Sequence, residues 1–165
     1  MQTVTSFPHS VRVIENTFIT MPDGCRLSAR IWLPEGVENN PVPAVLEYIP
    51  YRHRDTTRAR DELNHPYIAG HGYACIRVDL RGSGNSDGVL EDEYLPTEQD
   101  DACAVIECAA QQPWCDGNVG MMGISWGGFN SLHVAAKRPP ALKAIISASA
   151  TDDLYVDNMH YMGGC

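Results

Sequence analysis

The order of apolar runs along the chain predicts an α/β fold, a mostly parallel sheet with helices on both faces, entered through an antiparallel hairpin. Three observations carry this expectation. Short β-branched or apolar runs alternate with stretches of helical spacing from residue 44 onwards. The two runs before that point are joined by Pro22-Asp23-Gly24, a turn signal that makes them a hairpin. The pentapeptide Gly123-Ile124-Ser125-Trp126-Gly127 stands between a predicted strand and a predicted helix. In a parallel sheet that is the edge where chemistry is presented, the carboxyl ends of the strands.

Each element has its own local reason. Val11–Thr20 is rich in β-branched residues and reads as a strand. In the next segment Leu27, Ala29, Ile31 and Leu33 alternate with Arg26, Ser28, Arg30 and Trp32, which predicts a half-buried strand. Residues 34–43 form a loop, and Ala44–Ile49 is a short apolar strand followed by a polar segment over 51–60. Glu62–Gly70 can form a short helix in which Pro66 sets a limit or a kink. Tyr73–Val78 is the next strand and ends at Asp79. The glycine-rich stretch Arg81-Gly82-Ser83-Gly84-Asn85-Ser86-Asp87-Gly88 is loop. Thr97–Ala110 carries Ala102, Val105, Ile106 and Ala109 at helical spacing, with Thr97 and Asp100 as a candidate cap and Pro113 as the stop. A strand over Asn118–Gly123, a helix over Trp126–Lys137 and a buried strand over Leu142–Ala148 complete the series.

Composition narrows the function classes. The 165 residues carry 21 acidic and 12 basic side chains, a net charge of -9, which disfavours a nucleic-acid surface. No apolar run approaches the roughly 20 residues of a membrane span, and residues 1–10 lack the basic and apolar regions of a secretory signal. The six cysteines are scattered without metal-binding spacing, which suits free thiols in the reducing cytoplasm. His53, His65, His71 and His133 show no ligand spacing and read as surface or loop histidines. No metal or cofactor is expected, and no feature assigns an oligomeric state.

Ser125 is the candidate nucleophile. Gly123-Ile124-Ser125-Trp126-Gly127 fits the G-x-S-x-G turn of α/β-hydrolases, which pushes a serine hydroxyl into the site between strand and helix. So tight a turn brings the positions two before and two after the serine together, so both must be small, and Gly123 and Gly127 occupy them. Serine also needs a histidine base oriented by a carboxylate, in the chain order Ser, acid, His. Asp152, Asp153, Asp157 and His160 follow Ser125. Acid and base should come from the ends of two different later strands, and only one strand fits after the serine. The expectation is therefore that the sequence stops before its acid and base, beyond residue 165. The backbone N–H of Trp126 is one expected oxyanion donor, and the second is sought in the segment after the third strand, where Tyr51 offers a hydroxyl.

With these residues in view, the sequence resembles the cocaine esterase/NonD and Xaa-Pro dipeptidyl-peptidase group of serine hydrolases. The resemblance runs through Met21-Pro22-Asp23-Gly24-Cys25-Arg26-Leu27, Ile31-Trp32-Leu33-Pro34, Ile49-Pro50-Tyr51-Arg52, Gly72-Tyr73-Ala74, Asp79-Leu80-Arg81-Gly82-Ser83-Gly84-Asn85-Ser86 and Trp114-Cys115-Asp116-Gly117-Asn118-Val119-Gly120. It implies Ser125 as nucleophile, with the Tyr51 hydroxyl and the Trp126 N–H as oxyanion donors. The family often has Tyr after the serine, where this chain has Trp126. It also implies that residues 1–165 are the N-terminal part of one α/β-hydrolase catalytic domain. A helical cap would begin near residue 152, in a region with His160 and Gly163-Gly164, with later strands and a C-terminal jelly-roll domain to follow. The implied substrate is a small ester or peptide.

Two rival readings are weaker. A dinucleotide loop needs G-x-G-x-x-G, but Asp87 stands at the third glycine position after Gly82 and Gly84. A non-catalytic binding module on the same fold would be expected to lose the serine or its glycines, and both are present. Asp152, Asp153 and Asp157 could recognise a substrate amino group, although a solvated loop or cap accounts for them more simply.

Overall fold

A computed structural model describes residues 4, 6–158 and 160. Nine elements form one six-stranded sheet with three helices. In chain order they are β1 (Val11–Thr20), β2 (Arg26–Pro34), β3 (Val42–Ile49), α1 (Arg58–Gly70), β4 (Ala74–Asp79), α2 (Pro96–Ala110), β5 (Cys115–Ile124), α3 (Trp126–Lys137) and β6 (Leu142–Ala148). The sheet order is β1-β2-β4-β3-β5-β6. β1 pairs antiparallel with β2, and β2 with β4, while β4, β3, β5 and β6 run parallel. The predicted α/β class, the hairpin and the parallel sheet are all present.

The two faces of the sheet are covered differently. α2 and α3 close one face over a core that includes Leu46, Ile76, Val78, Val105, Ile106, Val119, Met121 and Val134. α1 covers the other face, where Ala69 packs with Trp32 and Cys75. Because strand residues alternate between faces, Cys75 and Arg77 of β4 lie towards α1 while Ile76 and Val78 lie towards α2.

That second helix layer corrects the half-buried reading of β2, which is buried on both faces from Leu27 to Pro34. Arg26 at its start is exposed and pairs with Asp87, but the charge further along does not reach water. Arg30 is 1% exposed; it pairs with Glu15 and Glu62 and lies 4.5 Å above the Trp32 ring. His53 and His65 were expected as surface or loop histidines; His53 does lie in a loop, His65 lies in α1, and both are buried, with the His65 ring stacked on Trp32 at 4.5 Å.

Element ends also move. α1 starts at Arg58 rather than Glu62 because its charged first turn is satisfied by ion pairs: Arg58 to Glu15, and Arg60 to Glu47 and Asp61. α2 has no Thr97 or Asp100 cap. Pro96 opens the helix after Leu95, and the Glu98 carboxylate instead accepts the Tyr94 N–H at 2.9 Å. β5 begins at Cys115, three residues early, with Gly117 at φ +89° taking up the bend. β6 is an edge strand and only half-buried, with Ile146 67% exposed, because α1 does not extend over β5 and β6.

Cys25, Cys75, Cys103, Cys108 and Cys115 are free thiols. Among the described residues no helix is long and apolar enough to cross a membrane. After β6 the chain makes turns through Asn158. There Asp153, exposed like Asp152 and Asp157, accepts the N–H groups of Tyr155 and Val156 as a loop cap would. Gly163, Gly164 and Cys165 lie outside the described residues.

Candidate active site

β5 ends at Ile124 and α3 begins at Trp126, so a single residue makes the turn from strand to helix. That residue is Ser125, at φ 56° and ψ -118°. Side chains rarely adopt this backbone region, and holding one there costs of order 1–3 kcal/mol, which the surrounding structure must supply. The supports are visible. The Ser125 N–H donates to Ala148 O at 2.9 Å, and the Ser125 carbonyl accepts the Phe129 N–H at 3.0 Å as the first bond of α3.

The two glycines make the turn possible. A Cβ on Gly123 would sit 2.3 Å from the Gly127 carbonyl carbon. A Cβ on Gly127 would meet the Ile49 Cγ2 at 2.7 Å. Gly128 is equally tight, with a Cβ 2.7 Å from Ala148 O. Ser125 is left half-buried at the start of α3. Its position and the unpaired N–H groups of that first helical turn favour negative charge nearby.

Tyr51 reaches the same place from a different strand. β3 lies beside β5 in the sheet and runs parallel to it, so the segment after Ile49 emerges next to the Ser125 turn. The Tyr51 ring meets the Trp126 ring edge-on at a centroid distance of 6.3 Å and is exposed. Ser125, Trp126, Gly123, Gly127 and Tyr51, drawn from two separate stretches of sequence, are thus brought together.

Sequence reasoning missed Glu98 and Tyr94. The Glu98 carboxylate, on the first turn of α2, accepts the Trp126 indole Nε1–H at 2.7 Å while its other oxygen holds the Tyr94 N–H. Burial pushes the Glu98 carboxyl up, and the hydrogen bond from Trp126 pulls it back. Tyr94, at φ 61°, packs its ring against Trp126 at 5.5 Å and Phe129 at 5.0 Å. A lone glutamate in a helix's first turn looks like a partner for the helix dipole, so nothing local signals that it anchors Trp126.

Three other groups could in principle hold a cation. Ligand atoms of Glu47, Asp61 and His65 lie within 4.8 Å of one another. Two guanidinium groups already serve them: Arg60 reaches Glu47 at 2.6 Å and Asp61 at 2.7 Å, and Arg77 lies 3.5 Å from Asp61. Burial, with the arginines adding to it, lowers His65 to about 4 and His53 likewise to about 4, so both rings are neutral near pH 7. A buried ion-pair network accounts for this cluster without a metal. The described histidines His53, His65 and His71 turn ring nitrogens to Ser28, the Asp61 carbonyl and the Tyr67 carbonyl.

The chain is similar in sequence and fold to known hydrolases. The family model described as X-Pro dipeptidyl-peptidase (S15 family) matches residues 23–165. Cocaine esterase of Rhodococcus sp. is 34% identical over 155 residues, covering 92% of this chain and 26% of that protein. A putative Xaa-Pro dipeptidyl-peptidase of Streptomyces avermitilis is 33% identical over 104 residues, 54% of this chain and 15% of that protein. The crystal structure of a CocE/NonD family hydrolase from Staphylococcus aureus superposes with a TM-score of 0.78 at 28% identity, over 88% of this chain and 29% of that one. The chain thus spans about a quarter of the length of the cocaine esterase it matches.

Proposed function

Since the chain belongs to the X-Pro dipeptidyl-peptidase (S15) family, we propose that it is the nucleophile-bearing part of a serine hydrolase that cleaves an ester or amide through an acyl-enzyme on Ser125. The observation that carries the reading is the backbone of Ser125: a non-glycine residue at φ 56°, alone between a strand and a helix and flanked by two glycines that touch. Strain of this kind is kept where a side chain must be presented, and the turn is then the nucleophile elbow of the fold.

In this mechanism a histidine takes the proton of Ser125 Oγ as the oxygen attacks the carbonyl carbon. The Tyr51 hydroxyl and the Trp126 N–H donate to the resulting oxyanion. Collapse of the intermediate expels an alcohol or amine, which receives the proton from the histidine, and water then hydrolyses the acyl-enzyme.

We place the acid and the histidine in the part of the protein that follows residue 165. The half-buried edge strand β6, with Ile146 and Ile124 exposed, supports a sheet that continues there. The 165-residue segment alone would then be inactive. The relatives named as an esterase and as a peptidase bracket the substrate class, a small ester or an Xaa-Pro peptide.

The test is turnover of acyl esters, amino-acid esters and Xaa-Pro anilides by the full-length protein and its Ser125→Ala variant. The variant is expected to lose about 10⁶-fold on whichever class is cleaved. Activity within tenfold of the parent would contradict the assignment.

A further inference from the structure

The glycine-rich stretch that opens with Asp79 plays no part in the reading above, yet its first residue is fully buried beside the Tyr51 segment. We propose that Asp79 and Arg77 are positioning residues for Tyr51, holding the main chain on both sides of it and thereby aiming its hydroxyl. This inference rests on Tyr51 being an oxyanion donor.

The hold is placed two residues to either side. Before Tyr51, the Ile49 carbonyl accepts the Arg77 guanidinium at 3.3 Å and the Leu80 N–H at 3.3 Å. After Tyr51, the His53 N–H is shared by both oxygens of Asp79, at 2.9 and 3.3 Å. The two anchors are joined, because Arg77 and Asp79 pair at 3.2 Å with both side chains fully buried. The His53 ring is tied to β2 through Ser28 Oγ at 2.8 Å. Only Pro50, Tyr51 and Arg52 lie between the anchors. Pro50 has a restricted φ, and Arg52 sits at φ 51°, a conformation that needs such support.

A neutral acceptor could satisfy one N–H, so a buried charge here calls for a reason. Charge-assisted hydrogen bonds are shorter and roughly twice as strong as neutral ones, which stiffens the segment. The cost is visible, since burial raises the Asp79 carboxyl to about 6 even beside Arg77. The glycine-rich loop is shaped around that carboxylate. A Cβ on Gly84, which has φ +57°, would lie 2.1 Å from Asp79 Oδ2. The Ser86 hydroxyl donates to the Asp79 carbonyl at 2.8 Å and accepts the Ser28 N–H at 2.9 Å. The glycines that fall short of a nucleotide loop thus form the seat of Asp79.

A double-mutant cycle on the full-length protein tests this, with kcat and KM measured on a p-nitrophenyl ester. Tyr51→Phe should lower kcat about 10²–10³-fold. Asp79→Asn keeps the shape and one acceptor but loses the charge. It should lower kcat about tenfold with KM little changed when Tyr51 is present, and less than about twofold in the Tyr51→Phe background, where there is no hydroxyl to misplace. Gly84→Ala presses on Asp79 without removing any ion pair and should show the same coupling at smaller size, which keeps the test open if Asp79→Asn folds poorly. Equal losses in both backgrounds, or no loss from either variant, would overturn the positioning role while leaving Tyr51 as a donor. A silent Tyr51→Phe would overturn the donor role itself and the inference with it.

Discussion

At Ser125 the chain is held by the absence of side chains, while one strand away, at Tyr51, it is held by buried charge. Gly123 and Gly127 let strand and helix come close, with Ser125 alone between them. The segment around Tyr51 carries no glycine. Arg77 and Asp79 grip it from below, and Arg77 is in turn shared with Glu47 and Asp61. The steric hold depends on shape alone and is indifferent to pH and salt. The electrostatic hold draws on β3, α1 and β4 together and depends on every member keeping its ionisation state.

The largest expected effect breaks the steric side. Gly123→Ala puts a methyl into the backbone of Gly127, so α3 must retreat and carry the nucleophile with it. Turnover of the full-length protein should fall at least about 10²-fold, by the same factor at pH 6 and pH 8. Activity near that of the parent would show that the turn has slack, and the contrast with the Tyr51 segment would fail.

A smaller effect sharpens the electrostatic side. His65 titrates near 4 when folded against an ordinary value near 6.5, so the unfolded chain binds the extra proton first as the solution is acidified. Its contribution to stability is full above pH 6.5 and is lost as pH falls towards 4, at about 3 kcal/mol for the whole interval. His53 acts in the same direction. Asp79, raised to about 6, acts in the opposite one, gaining stability as it is protonated. His65→Phe keeps a ring against Trp32 and removes one titration, so its unfolding midpoint should drop less than the parent's between pH 7 and pH 4.5. Parallel losses in thermal unfolding would exclude His65 as a source of acid sensitivity.

This difference also decides what was legible in the sequence. The turn at Ser125 is local: five consecutive residues state its steric requirement, and the flanking apolar runs state strand and helix. The Tyr51 hold and the buried charges around it are dispersed over residues 30–79, and each of these residues has an innocent local reading. Arg30 reads as the wet face of a strand, His65 as a surface histidine and Asp79 as the end of a strand. They look solvated because sequence period reports which face a residue is on, not whether a helix covers that face. α1 covers it, and its own first turn was hidden because the same arginines and carboxylates that anchor it make it look like loop. Glu98 escaped for a similar reason, since its partner Trp126 lies in another element.

Covalent labelling tests most directly whether Ser125 is the attacking group. Treated with a fluorophosphonate, the full-length protein should lose activity in step with the appearance of one phosphonylated peptide, with the adduct on Ser125 by mass spectrometry, and the Ser125→Ala variant should take up none. Inactivation with the adduct on another residue, or continued hydrolysis by fully labelled protein, would contradict it.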